Sequence, residues 1–269
     1  MSKVFVAGGC SFTFGHELSD DLNGKKPSKL TWANRLFRDV DDDNIEYLCT
    51  ARAGSGNSGI ARRVFDAITN KEYKADYVVV MWSFLSRYDW AMPRHKDLEG
   101  TRWASISPWD TNAGNEEAFR TIANSETQKE QWQDRNEIFR ETGVRYLAEA
   151  IYKHGANQYH ETYLSWKSII WLQNILEKKK IPYMFTLADN SLFYDEFTHH
   201  KDQDKFMNSL HSEIDLSRWY FFGERCMGFN QWALLNDYPR GTTHPLDQAH
   251  ADAVQLMLPT FNKLIGEKK

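Results

Sequence analysis

The sequence predicts an α/β protein built on an open parallel sheet. Four short apolar runs, at residues 3–7, 45–49, 77–81 and 183–187, have the length and composition of buried strands. The runs are continuous rather than alternating, which is typical of parallel strands covered by helices on both faces. Segments with helical spacing separate them, so right-handed crossovers are expected between successive strands.

Helices are predicted at about residues 32–39, 58–68, 161–180 and 246–265. The segment 161–180 gives the clearest signal, because its apolar residues fall on one broad face. Its last turn carries three lysines at 178–180, and positive charge there suits the negative end of the helix dipole.

Residues 88–160 break this alternation of strand and helix. The part at 89–114 contains Trp90, Trp103 and Trp109 and reads as a loop, whereas 116–159 reads as polar helix. We therefore predict a single domain over residues 1–269 with an insertion at about 88–160. The tryptophans suggest that the insertion covers or borders the functional site.

Composition narrows the classes of function. The chain has 269 residues, a net charge of -4 and a sequence pI near 6.1, which argues against a broad nucleic-acid-binding face. No apolar stretch is long enough to cross a membrane, and the first apolar run is too short for a signal peptide. Cys10, Cys49 and Cys226 form neither a disulfide framework nor a metal knuckle. We expect a cytoplasmic protein with no membrane or nucleic-acid partner, no metal and no cofactor.

The first candidate site follows the first strand. Gly8 and Gly9 end the strand, and Ser11 comes two residues later, at the edge where open parallel sheets bind ligands. A serine there is either a nucleophile activated by a base or a simple helix cap. Cys10 is the rival nucleophile, although its side chain should point away from that of Ser11.

Two further segments are candidates for the same edge. The glycine-rich stretch 53–58 follows the second strand and opens a helix, so Gly56 could offer a backbone N–H and Asn57 a side-chain amide. His244 precedes Pro245 at the start of the last helix, a good position for a general base. His250 is the competing histidine, and Asp247 could pair with it.

These three segments, in this order, resemble the motifs of the SGNH/GDSL hydrolase superfamily. Ser11 matches its nucleophile, Gly56 its oxyanion-hole glycine and His244 its general base. The resemblance implies a three-layer, flavodoxin-like α/β/α fold and ester hydrolysis without a cofactor. The style of the motifs is also similar to that of members encoded by tailed bacteriophages, which would place the protein in a host cytoplasm or a virion.

The sequence departs from the superfamily at two positions. After the third strand, residues 82–87 lack the usual asparagine, so Ser83 or Arg87 is expected to replace it as an oxyanion or substrate-binding group. Arg87 instead pairs with Asp89 if it is only a surface residue. Gly241 stands where an aspartate normally orients the histidine. The acid is then absent, replaced by a backbone carbonyl, or supplied by Asp237.

The sequence therefore predicts a serine esterase that acts on a small-molecule or carbohydrate ester, with an O-acetyl carbohydrate as a specific possibility drawn from the resemblance. The alternative is a non-enzymatic binding or virion-associated module whose active site has eroded, which the two missing residues would explain. The oligomeric state is not predicted.

Overall fold

The computed structural model describes residues 2–22, 24–40, 42–92, 103–121, 126–193 and 201–266. Six strands lie in these ranges: β1 (Ser2–Gly8), β2 (Ile45–Cys49), β3 (Tyr73–Trp82), β4 (Tyr88–Ala91), β5 (Trp103–Ile106) and β6 (Tyr183–Leu187). Four of them form a sheet in the order β2-β1-β3-β6, in which every neighbouring pair is parallel. The predicted α/β class with an open parallel sheet is confirmed.

Ten α-helices are described: α1 (Ser11–Phe14), α2 (Trp32–Arg38), α3 (Asn57–Thr69), α4 (Asn112–Thr121), α5 (Glu126–Glu141), α6 (Val144–Ala150), α7 (Gln158–Lys179), α8 (Lys201–Ser212), α9 (Phe229–Leu235) and α10 (Asp247–Gly266). The four helices predicted from apolar spacing correspond to α2, α3, α7 and α10. No helix in the described part of the chain is long and apolar enough to cross a membrane.

Two apolar layers sandwich the sheet, because successive side chains of a strand point to opposite faces. In β1, Val4 and Val6 pack in one layer with residues of α3 and α7, whereas Phe5 and Ala7 pack in the other with residues of α2 and α10. The strands β3 and β6 divide their side chains in the same way. All three are therefore buried on both faces, which explains why their sequences read as continuous apolar runs.

The segment predicted as an insertion lies between β3 and β6 and begins with the antiparallel pair β4–β5, which forms a separate two-stranded sheet. The helices α4, α5 and α6 follow, and a small apolar cluster joins β5 to α5 and α6 through Ile106, Phe139 and Ala148. The expectation of a loop over 89–114 was wrong where the structure describes it, since β4 and β5 occupy part of that range. The sequence between the tryptophans has no clear periodicity from which such short strands could be predicted. Residues 93–102 and 122–125 lie outside the described residues.

The close approach of α3 to the end of β1 gives a test of the packing. A Cβ atom on Gly8 would lie 2.4 Å from Cγ2 of Val64 and 3.2 Å from Cγ2 of Val80. We expect Gly8→Ala to lower the free energy of unfolding by about 1–3 kcal/mol through overpacking. Val64→Ala should lower the free energy of unfolding by less in the Gly8→Ala background than in the wild type, because the smaller side chain at position 64 makes room for the new methyl group. Urea unfolding of the four proteins measures this coupling, and strictly additive effects would contradict it.

Candidate active site

Ser11 lies where β1 meets the first helical turn. Gly9 makes this sharp connection possible, because a Cβ atom there would lie 2.1 Å from Oγ1 of Thr13. Ser11 is the first residue of α1 and is only 6% exposed. The neighbouring Cys10 is fully buried in the apolar layer of α2 and α10, so its thiol does not share the position of the Ser11 hydroxyl.

His244 brings its imidazole to Ser11 from the loop before α10. Nε2 of His244 lies 2.7 Å from Oγ of Ser11, and the edge-to-face contact with the Phe12 ring fixes the imidazole at a centroid distance of 4.8 Å. The structure therefore brings together the two residues that the sequence named as nucleophile and base, although they are 233 positions apart.

A carboxylate that the sequence did not indicate occupies the other side of the imidazole. Oε2 of Glu17 lies 2.6 Å from Nδ1 of His244. Because a carboxylate only accepts hydrogen bonds, the neutral imidazole carries its proton on Nδ1 and leaves Nε2 free to accept one from the Ser11 hydroxyl. Ser11, His244 and Glu17 thus form a hydrogen-bonded chain in the order found in serine hydrolases.

The Glu17 carboxylate is held by the backbone as well as by the imidazole. Thr242 donates its N–H to Oε1 at 2.7 Å, and the N–H groups of Thr243 and His244 both donate to Oε2 at 3.0 Å. The Thr243 hydroxyl adds a bond of 3.1 Å. Burial opposes ionisation of Glu17, but the hydrogen bond from His244 and those from the Thr243 and Thr242 backbone outweigh it and lower the pKa of the carboxyl group.

The position of Glu17 explains the glycine found three residues before the histidine. A Cβ atom on Gly241 would lie 2.8 Å from Cδ and 2.9 Å from Oε1 of Glu17. The carboxyl group of Glu17 therefore fills the space that a side chain at position 241 would enter. Asp237, the alternative acid considered from sequence, is exposed beyond the end of α9, and Glu17 makes the contact with His244 instead.

A pocket of about 410 Å³ opens beside Ser11 and His244. Aromatic side chains form much of its wall, namely Phe12, Phe84, Trp109 and Trp132. Trp109 and Trp132 belong to the segment predicted as an insertion, so that segment borders the pocket as expected. Trp90 and Trp103 do not line it, and the Trp103 ring packs under the Arg62 guanidinium at 4.3 Å.

Of the four residues predicted to bind the oxyanion or the substrate, only Arg87 lines the pocket. Asn57 is buried and clamps the start of the segment after β3: its Oδ1 accepts the Ser83 N–H at 2.7 Å and its Nδ2 donates to the Ser83 carbonyl at 3.2 Å. Ser83 in turn accepts a bond of 2.8 Å from Nη1 of Arg87 on its hydroxyl. Gly56 packs against the backbone of Arg87, where a Cβ atom would lie 2.2 Å from the carbonyl oxygen.

His250 has a structural environment. It is 1% exposed, and its Nδ1 accepts the N–H of Trp32 at 3.2 Å at the start of α2. Burial is the main cause that lowers the pKa of His250 to about 3, so the ring stays neutral. Asp247 does not pair with it, since its carboxylate accepts bonds from the backbone and hydroxyl of Ser19.

Glu17 and Asn230 are the main residues that sequence reasoning missed. Asn230 lines the pocket from α9, and its buried Oδ1 has no hydrogen-bond partner among the described residues. One signal for Glu17 was available: a glycine at position 241 implies that the acid comes from elsewhere. Nothing in the spacing of the sequence identified which acid.

No family model and no curated protein matches the chain. Solved structures do: the psychrotrophic esterase EstA from Pseudoalteromonas sp. has 10% identity and a TM-score of 0.45, with coverage of 99% of this chain and 100% of that one. A lipolytic protein of the G-D-S-L family from Veillonella parvula has 11% identity and a TM-score of 0.41, covering 97% and 100%. The acetyl xylan esterase AlAXEase has 13% identity and a TM-score of 0.41, covering 95% and 98%.

Two of these three structures are esterases and one is a G-D-S-L lipolytic protein. The particular resemblance to bacteriophage-encoded members stays a prediction.

The lowered pKa of Glu17 predicts how stability depends on pH. An unfolded glutamate titrates near 4.3. The ionised carboxylate therefore stabilises the fold above that pH, and its contribution is lost as the pH falls towards the lowered pKa of the folded state. We expect Glu17→Gln to be less stable than the wild type at pH 7, with a difference that shrinks below about pH 4. Urea unfolding between pH 3 and 7 measures this. A difference that does not depend on pH would contradict the assignment of charge to Glu17.

Proposed function

We propose that the protein is a serine ester hydrolase in which Ser11 is the nucleophile and His244 the general base. Glu17 is proposed as the positioning residue that orients the imidazole. The observation that carries the proposal is the continuous chain of short contacts from Ser11 Oγ to His244 Nε2 and from His244 Nδ1 to Glu17 Oε2. A serine that merely caps a helix has no need of an oriented imidazole.

The proposed reaction proceeds by acyl transfer. Oγ of Ser11 attacks the ester carbonyl while Nε2 of His244 takes the hydroxyl proton. The imidazolium then gives that proton to the departing alcohol, which leaves an acyl group on Ser11. Water enters, His244 removes its proton, and the acid is released as the Ser11 hydroxyl is restored. Glu17 stabilises the imidazolium at each stage and stays ionised because its pKa is lowered.

The tetrahedral oxyanion requires N–H donors. We propose the backbone N–H of Ser11 as the first, because the initial N–H groups of a helix have no acceptor within it. The loop 53–56 is proposed to supply the second. Gly54 lines the pocket whereas Gly56, the residue named from sequence, packs against Arg87, so we move the proposed donor to Gly54.

The aromatic wall fits a substrate with a flat or apolar part, and an O-acetyl carbohydrate stays within the proposal because sugar rings stack on such side chains. The alternative of an eroded, non-enzymatic module rested on the missing asparagine and aspartate. The missing aspartate is now a weaker reason for that alternative, since Glu17 supplies a carboxylate to His244 from another part of the chain.

The nucleophile is tested with a small aryl ester. We expect Ser11→Ala to reduce the kcat for 4-nitrophenyl acetate by about 10⁴-fold or more, because the attacking oxygen is removed. The matched control is Cys10→Ala, which should keep most of its activity because this thiol lies in the apolar core.

A fluorophosphonate adduct mapped by mass spectrometry provides the second measurement, and we expect it on Ser11. Labelling of Cys10, or an active Ser11→Ala protein, would overturn the assignment.

The positioning role of Glu17 is tested by moving the acid. We expect Glu17→Ala to lower kcat by about 10³- to 10⁴-fold with a small effect on KM, since the imidazole loses its orientation and charge partner. Gly241→Asp in that background should recover part of kcat, because removing Glu17 frees the space that the new side chain needs.

The control is Gly241→Asp alone. It should impair the enzyme, because its Cβ atom would lie within 3 Å of the Glu17 carboxyl group. If the double variant is no more active than Glu17→Ala at any pH between 6 and 9, although both are folded, Glu17 has a structural role only.

A further inference from the structure

We propose that the pocket beside Ser11 accepts an ester that carries a carboxylate group, and that Arg87 binds this carboxylate. The inference rests on the proposed hydrolase function, since it names the substrate class of the same site. Four observations carry it: the charge of Arg87, which has no acidic partner among the described residues, its position in the pocket, the contacts that hold it, and the charges around it.

Arg87 has no acidic partner among the described residues. The carboxylate nearest in sequence, Asp89, is 3% exposed and binds Arg62 through two bonds, of 2.8 and 3.2 Å. The guanidinium of Arg87 donates one hydrogen bond in the described part of the chain, from Nη1 to Ser83 Oγ. A guanidinium has five N–H donors, so most of its binding capacity faces the pocket or solvent.

The guanidinium is also fixed before any ligand arrives. It lies over the Phe84 ring at 4.7 Å, and Ser83 holds one of its nitrogens. Asn57 clamps the backbone of Ser83, and the absent side chain of Gly56 allows the backbone of Arg87 to pack closely. An arginine that is already immobilised loses little side-chain entropy on binding, which favours recognition of a planar carboxylate by two parallel bonds.

The other charged groups of the pocket wall are already engaged. Arg135 binds the buried carboxylate of Asp110 through two bonds, of 2.8 and 3.0 Å. Both oxygens of Asp21 accept backbone N–H groups, from Gly24 and Glu17. Among the described residues of the pocket wall, Arg87 is therefore the arginine that is available to an anionic group, and it lies in the same pocket as Ser11 and His244.

The experiment compares matched esters that differ in one charge. In the first pair, 4-acetoxybenzoate and 4-acetoxybenzamide place the charge in the alcohol part. In the second pair the charge lies in the acyl part. Its charged member is the 4-nitrophenyl monoester of adipic acid, and its neutral member is the same compound with the free carboxylate converted to a methyl ester. We expect the wild type to prefer the charged member of at least one pair in kcat/KM, by about tenfold or more. Charge-assisted hydrogen bonds give discrimination of that order.

Arg87→Gln should abolish this preference through a higher KM for the charged ester, while the neutral ester keeps its kcat and KM. Arg87→Lys should retain part of the preference. The matched control is Arg52→Gln, which removes an exposed arginine near the pocket that does not line it and should leave the preference unchanged. Equal kcat/KM within both pairs would overturn the inference. An equal fall of kcat for charged and neutral esters in Arg87→Gln would also overturn it and would mark an oxyanion donor instead.

Binding to an inactive protein separates this inference from the proposed function. Calorimetric titration of the Ser11→Ala protein with 4-acetoxybenzoate and with the 4-nitrophenyl monoester of adipic acid should show, for at least one of the two, binding that Arg87→Gln weakens by about tenfold or more. If no ester is hydrolysed but this Arg87-dependent binding is present, the hydrolase proposal fails and the carboxylate site stands. If esters are hydrolysed through Ser11 but the binding does not depend on Arg87, the hydrolase proposal stands and the carboxylate site fails.

Discussion

The carboxylate of Glu17 is the interaction on which the arrangement of the site depends. It accepts five hydrogen bonds from residues 242–244, so one side chain fixes both the backbone of the loop and the imidazole of His244. Glu17 itself has a φ of 67°, an unfavourable left-handed conformation for a residue with a long side chain. The hydrogen bond from its N–H to Asp21, at 3.0 Å, helps to hold it there. A strained residue with so many partners is typical of functional sites.

This interaction joins two parts of the chain that are more than 220 residues apart. Ser11 and Glu17 both lie in the segment that follows β1, so one short stretch of chain after an inner strand of the sheet carries the proposed nucleophile and the acid. The loop before α10 needs only to bring the imidazole between them. Gly241 makes this arrangement possible, because a side chain at position 241 would collide with the Glu17 carboxyl group that the loop covers.

Much of the fold could be predicted from sequence because its strongest signals are local. Strands such as β6 are buried on both faces, and their boundaries follow from continuous apolar runs. The positions of Ser11 and His244 also follow from local patterns. Ser11 comes after a strand that ends in glycine, and His244 belongs to a His-Pro pair before a helix. Glu17 could not be predicted in this way, since its role depends on contacts across the whole chain. The pair β4–β5 was missed because four-residue strands in an aromatic segment have no clear periodicity.

Two residues that were predicted to bind the oxyanion or the substrate form hydrogen bonds within the protein instead. Asn57 begins α3 after the loop that follows β2, and Ser83 directly follows β3, but the two residues bond to each other and support Arg87. The contacts around Ser11 and those around Arg87 therefore belong to two separate networks that meet in one pocket. Glu17 and its loop fix the first, and Asn57 with Gly56 fixes the second. No described hydrogen bond links the two networks, and they meet through aromatic rings instead. The Phe84 ring lies under the Arg87 guanidinium and contacts Phe12, whose ring packs against His244, so the proposed role of Arg87 is coupled to the Ser11–His244–Glu17 geometry by packing and not by shared hydrogen bonds.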